Sequence, residues 1–240
     1  MDEIDFKDKM STYIIFFVAI LLISMFVQWR FKNKFAKYAE IQLFSGLSGK
    51  EVAELMLHDH GLYDVKIISV EGQLTDHYNP TDKTVNLSTD VYHGRSIAAA
   101  AVAAHECGHA IQHAKSYGWL NLRSQMVPVV SISSNLLQWV LLIGVLLMGF
   151  TGNPTVLAVG VVALTVITIF SLVTLPVEFD ASNRALAWLG TNHNVMATKE
   201  EGFLAKDALW WAAMTYVVAA LGAVGNLLYY ASMLFGSSRD

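Results

Sequence analysis

Four stretches of this chain carry no charged side chain and few polar ones: residues 12–29, 127–150, 154–176 and 209–235. A helix needs about 20 apolar residues to cross a hydrocarbon core, with a range of roughly 17–25. The first stretch is near the lower limit, and the last is long enough to tilt. The pattern predicts four transmembrane helices. Between the first two, the period changes. Ser48-Gly49-Lys50-Glu51 is a capping box that starts a helix with Val52, Leu55 and Met56 on its apolar face and Gly61 as its stop. Residues 65–70 are β-branched and apolar and read as a strand. Residues 74–78 and 84–87 read as a hairpin around the turn signal Asn79-Pro80-Thr81-Asp82. An alanine-rich helix follows from about Ser96 to Ala114, too polar in its second half to span a membrane.

The predicted fold class is an α-helical membrane protein with four transmembrane helices and a small α+β unit. The order is a span at 12–29, the α+β unit at 30–126, a transmembrane hairpin at 127–176, a short segment at 177–208 and a last span at 209–235. Composition agrees: 54% of the 240 residues are hydrophobic and 15% charged, against about 25% charged in soluble domains. The net charge of −4 points away from nucleic acid. Arg30, Lys32, Lys34 and Lys37 follow the first span. The positive-inside rule therefore puts residues 30–126 and 177–208 in the cytoplasm, beneath a plasma membrane, with both termini outside. The acidic start (Asp2, Glu3, Asp5 and Asp8 against Lys7 and Lys9) lacks the positive region of a cleaved signal, so the first span reads as a retained anchor. The single cysteine, Cys107, excludes an intrachain disulfide and reads as a small buried filler.

The chemistry lies in the alanine-rich helix, at His105-Glu106-Cys107-Gly108-His109. Residues four apart share a helix face, so His105 and His109 can hold one Zn²⁺, with Glu106 beside it as base. A catalytic zinc takes three protein ligands. The metzincin spacing would need glycine at 112 and histidine at 115, where this chain has Gln112 and Lys115. A downstream glutamate remains: Glu178, Glu200 or Glu201. Glu178 is the best placed, because the two-span hairpin returns the chain to the membrane face it left. Glu200 and Glu201 read as a solvated loop.

The segments AAHECGHAIQHA, PVEFDASNRA and LTDHYNPTDKTVNLS together resemble the bacterial YugP-like family of membrane-bound neutral zinc metallopeptidases. More distantly, the layout is similar to HtpX-type and CAAX prenyl proteases. The resemblance implies a zincin-like (gluzincin) unit, one Zn²⁺ per chain on His105, His109 and Glu178, and Glu106 as the base. HtpX-type enzymes carry an aspartate four residues after the ligand glutamate. Ser182 stands there in this chain, which leaves Asp180 or Asn183 to orient a ligand histidine.

The expected activity is zinc-dependent endopeptidase cleavage of membrane or membrane-proximal proteins at the cytoplasmic face, with protein quality control as a candidate role. The alternative is a catalytically silent zinc-binding scaffold in the membrane. The partners implied are protein or peptide substrates and the lipid bilayer. Oxyanion stabilisation falls to one of His77, Tyr78, Tyr92, His93, His113, Arg184 or His193. Asn135, Gln138 and Asn226, in or near the spans, are expected to bond neighbouring helices.

Overall fold

The computed structural model describes residues 3–236, with side chains from Ser11 onward except Thr12. The placement of both termini outside, and the charged side chains of residues 2–9 that bear on it, lie outside the described residues. The elements run α1 (Glu3–Glu40), α2 (Gly49–Asp59), β1 (Lys66–Val70), β2 (His77–Asn79), β3 (Thr84–Ser88), α3 (Thr89–His93), α4 (Ile97–Ala114), α5 (Gly118–Thr151), α6 (Thr155–Thr191) and α7 (Lys199–Gly236). Four of these helices, α1, α5, α6 and α7, are long and apolar enough to cross a membrane. The described residues divide into two compact units: those within 1–26, 122–174 and 216–240 form one, and those within 27–121 and 175–215 the other.

The second unit is built around α4. Alanine removes bulk on every side of this helix, and 14 of its 18 residues are buried; a helix apolar all round belongs inside a core. Its neighbours supply the large side chains: Val52 and Met56 from α2, Val85 and Leu87 from β3, and Leu189 from α6. The α2 capping box forms as expected, with Ser48 Oγ accepting from the Glu51 amide and Glu51 accepting from the Ser48 amide. The sheet order is β1-β3-β2, with β1 parallel and β2 antiparallel to β3. The Asn79 side chain closes the β2–β3 turn by accepting from the Thr81 amide at 2.9 Å.

Three segments differ from the sequence reading. The expected strand at 74–78 begins only at His77. Gly72 and Leu74 take positive φ angles of 102° and 57°, and Thr75 Oγ1 bonds back to the Glu71 and Gly72 carbonyls, so the chain turns there. The segment at 177–208 is largely helical, because α6 runs through Pro176 to Thr191. Val177, Ala181, Ala185 and Leu189 recur every four residues and are fully buried, a stripe that carries the helix on past the proline. Glu200 and Glu201 are in the first turn of α7 rather than a loop. Thr198 and Glu201 form a second reciprocal cap, and Glu201 Oε1 also accepts from the Phe44 amide at 2.7 Å.

In the first unit, Leu141 of α5 and Leu157 and Leu164 of α6 form a core covered by Leu227, Tyr230 and Met233 of α7. Gly144 lets α5 meet α6, since a Cβ there would stand 2.7 Å from the Leu157 amide nitrogen. Tyr13 and Phe17 of α1 pack edge-on against Tyr229 of α7. Asn135, Gln138 and Asn226 differ from expectation: their side chains are exposed rather than turned toward a neighbouring helix of the bundle.

A polar clasp joins α1 to α7 within the second unit. The buried Tyr38 hydroxyl donates to Asp207 at 2.6 Å and accepts from Lys34 at 3.1 Å, and Lys34 pairs with Asp207 at 2.9 Å. Hydrogen bonds to charged groups contribute about 1.5–3 kcal/mol. Tyr38→Phe is therefore expected to lower the thermal denaturation midpoint by the equivalent of about 1–3 kcal/mol, and an unchanged midpoint would assign no net stabilisation to the clasp.

Candidate metal centre

His105 and His109 lie one turn apart on α4, their rings 4.8 Å apart and near perpendicular at 84°. Glu178 comes from α6. The glycine of the motif makes the approach possible. A Cβ on Gly108 would stand 2.5 Å from the Ala181 carbonyl oxygen, so only a residue without a side chain lets the two backbones come this close. Ala181 is about one helical turn beyond Glu178, and the contact carries that carboxylate to the two imidazoles. Glu178 Oε2 lies 3.3 Å from His105 Nε2 and 3.6 Å from His109 Nε2. One ligand atom from each of the three residues falls within 4.8 Å of the others.

This donor set fits zinc. Bonds of about 2.0–2.2 Å at tetrahedral angles put neighbouring ligand atoms about 3.3–3.6 Å apart, the range found between Glu178 and each histidine. Two imidazole nitrogens and one carboxylate oxygen are ligand types that zinc accepts. The centre is shielded from solvent: Glu178 is 2% exposed, Glu106 7% and His109 8%. Burial draws the His109 pKa down, but the Glu178 carboxylate 3.6 Å away and the charge of Glu106 more than offset that and leave it raised. A bound cation would compete with protonation at the ligating nitrogen.

Each histidine is oriented from behind by an uncharged group. His105 Nδ1 faces Ser182 Oγ at 3.1 Å. His109 Nδ1 donates to Gln112 Oε1 at 3.0 Å. The Gln112 amide cannot rotate without losing bonds, because its Nε2 donates to the Val177 carbonyl and to Asp180, each at 2.8 Å. The oxygen must then face His109, which fixes a proton on Nδ1 and leaves Nε2 as the atom toward Glu178 that would bind a metal. Asp180 is held in turn by Arg184 at 2.6 Å, and Arg184 lies over the Tyr117 ring.

The remaining candidates separate. Asp180 acts on His109 through Gln112 rather than directly, and Asn183 is exposed. Arg184 is engaged by Asp180. The Tyr78 hydroxyl of β2 meets His113 Nδ1 of α4 at 2.8 Å. His77 is exposed and bonds the Thr75 carbonyl. Tyr92 packs against Lys50, and His93 and His193 are exposed. Among the described residues none hydrogen-bonds the Glu106 carboxylate. Cys107 is fully buried, its Sγ 3.7 Å from the Ala53 carbonyl, and burial pushes its thiol up, as suits a filler. The sequence reading used Gln112 only to exclude the metzincin spacing. Its place three residues after His109 was the available signal, since such pairs are neighbours on a helix.

Residues 13–235 match the profile of the family described as "Putative neutral zinc metallopeptidase". The chain is 41% identical over 228 residues to "Putative membrane protease YugP" of Bacillus subtilis (strain 168), covering 95% of this chain and 98% of that one. No solved structure matches. The chain belongs to the neutral zinc metallopeptidase family. Groups behind a metal-bound histidine typically carry 10–100-fold in metal affinity. Gln112→Leu is therefore expected to weaken zinc binding by about that factor in a chelator competition, while Gln112→Glu, which keeps an acceptor toward His109 but sets a carboxylate oxygen against the Val177 carbonyl and Asp180, restores it only in part. Equal affinity in all three proteins would remove Gln112 from this role.

Proposed function

We propose that this member of the neutral zinc metallopeptidase family is a zinc-dependent endopeptidase of the membrane, cleaving membrane or membrane-proximal proteins at the cytoplasmic face. The observation that carries this reading is the convergence of His105, His109 and Glu178 next to a buried, uncommitted Glu106. Three protein donors, rather than the four of a closed structural site, favour catalysis over a silent scaffold.

His105, His109 and Glu178 would hold the ion, which when bound polarises the scissile carbonyl and makes water more acidic. The Glu106 carboxylate takes a proton from the attacking water as its oxygen bonds to the carbonyl carbon. The same proton then goes to the amine nitrogen as the C–N bond breaks, so one carboxylate serves as base and then as acid. The Tyr78–His113 pair can donate to the oxygen on which negative charge develops. The edge strand β2, which pairs with β3 alone in the described sheet, can align an extended substrate through backbone hydrogen bonds. Recognition of that kind reads backbone more than side chains and suits unfolded or misassembled chains, which supports a role in quality control. The basic cluster Arg30, Lys32, Lys34 and Lys37 supports a cytoplasmic setting for residues 30–126 and 177–208.

Glu106→Gln is expected to keep one zinc per chain and to slow cleavage of an unfolded or membrane-bound protein by about 10²–10⁴-fold. Glu178→Ala is expected to lose the zinc. Unchanged cleavage in the first variant, or full zinc in the second, overturns these assignments. A tag on the C-terminus should resist modification from the cytoplasm in intact cells; its labelling there would reverse the orientation.

A further inference from the structure

The strongest unexplained feature outside the metal centre is a polar seam on α5. Ser131, Ser134, Asn135 and Gln138 recur at intervals of three and four and form one stripe along the helix. All four side chains are exposed, and none bonds to another described residue. Ile132, Leu136 and Trp139, also exposed, form an apolar face beside the stripe, and Leu137 and Leu141 pack into the bundle. Gln138 lies about 20 Å along the helix from its Thr151 end, and Asn135 about 24 Å. Both fall within a hydrocarbon core of about 30 Å, where no water satisfies an amide.

We propose that the chain pairs with a second copy of itself along this stripe, α5 against α5. Copies in a membrane insert in one orientation, so a two-fold axis relating them runs along the membrane normal. The paired helices are then parallel, and each seam residue faces its own counterpart. Self-contact of this kind suits only groups that both donate and accept hydrogen bonds. The serine hydroxyl and the asparagine and glutamine amides all do so, whereas a lysine or glutamate would repel itself. The small serines also let two backbones approach closely. A partner of different sequence would need matching polar residues at the same depths; a second copy carries them by identity.

The test is a cysteine scan in native membranes, with the full chain and one substitution at a time. Cys107 is fully buried and serves as a silent background. Oxidation should give a product of twice the chain mass from cysteine at 131, 135 and 138 and little from 132, 136 or 139. In lipid vesicles, Asn135→Leu combined with Gln138→Leu should weaken dimerisation on the order of tenfold, as loss of one or two interhelical bonds would. Leucine suits a bilayer, so this variant tests association rather than insertion. Equal crosslinking at all positions, absence of a double-mass product from the seam, or linkage of the seam to a different protein overturns the proposal.

Discussion

The contact between Gly108 and Ala181 sets the geometry on which the metal centre depends. Two histidines on one helix are easily supplied by the period of the helix. The third donor lies some seventy residues away and must be brought within about 3.5 Å of both imidazoles. The fold achieves this by crossing two helices at a point where one has no side chain, so that backbone meets backbone. The stripe Val177, Ala181, Ala185 and Leu189 keeps α6 against α4 on either side of that point. A methyl group at position 108 would leave all three ligands in the sequence and still push the glutamate's helix away from the histidines.

The alanine-rich character of α4 serves the same end. Small side chains bring neighbouring elements close on every side and leave His109 and Glu178 buried and His105 half-buried, and burial strengthens the electrostatic interactions at the centre. It also makes the charges costly unless matched. Glu178 and Glu106 are two buried carboxylates whose charges both act on His109, and a divalent cation on His105, His109 and Glu178 would balance them.

The four long apolar helices, the cap at Ser48-Glu51 and the limits of α4 were legible because each rests on a local rule: length without charge, a reciprocal cap, an alanine run. The same capping rule applies to Thr198-Lys199-Glu200-Glu201, but the apolar run behind it starts only at Leu209, so the sequence alone makes the glutamates read as a loop. The expected third span ends at Pro176, and the helix runs on past it to Thr191. Packing overrides the proline, since a buried four-residue stripe outweighs one lost backbone hydrogen bond. Glu178 could be argued from topology. Gln112 and Ser182 could not be ranked without coordinates, because their role depends on which face of α6 meets which face of α4.

The groups behind the histidines carry a chemical consequence. A carboxylate bonded directly to a ligand imidazole donates charge through it, which raises the ligand's basicity and tightens the metal. Here both contacts are neutral. Ser182 offers a hydroxyl, and Gln112 places an amide between His109 and the negative charge of Asp180, a charge that Arg184 already neutralises. Glu178 is then the one anionic group among the three candidate ligands. A dication held this way would keep more of its positive charge, and so would polarise a carbonyl more strongly and acidify water further, than one backed by carboxylates. The cost is weaker retention of the ion, and the interlocking bonds of Gln112 to Val177 and Asp180 offset it by holding the imidazole in its binding orientation.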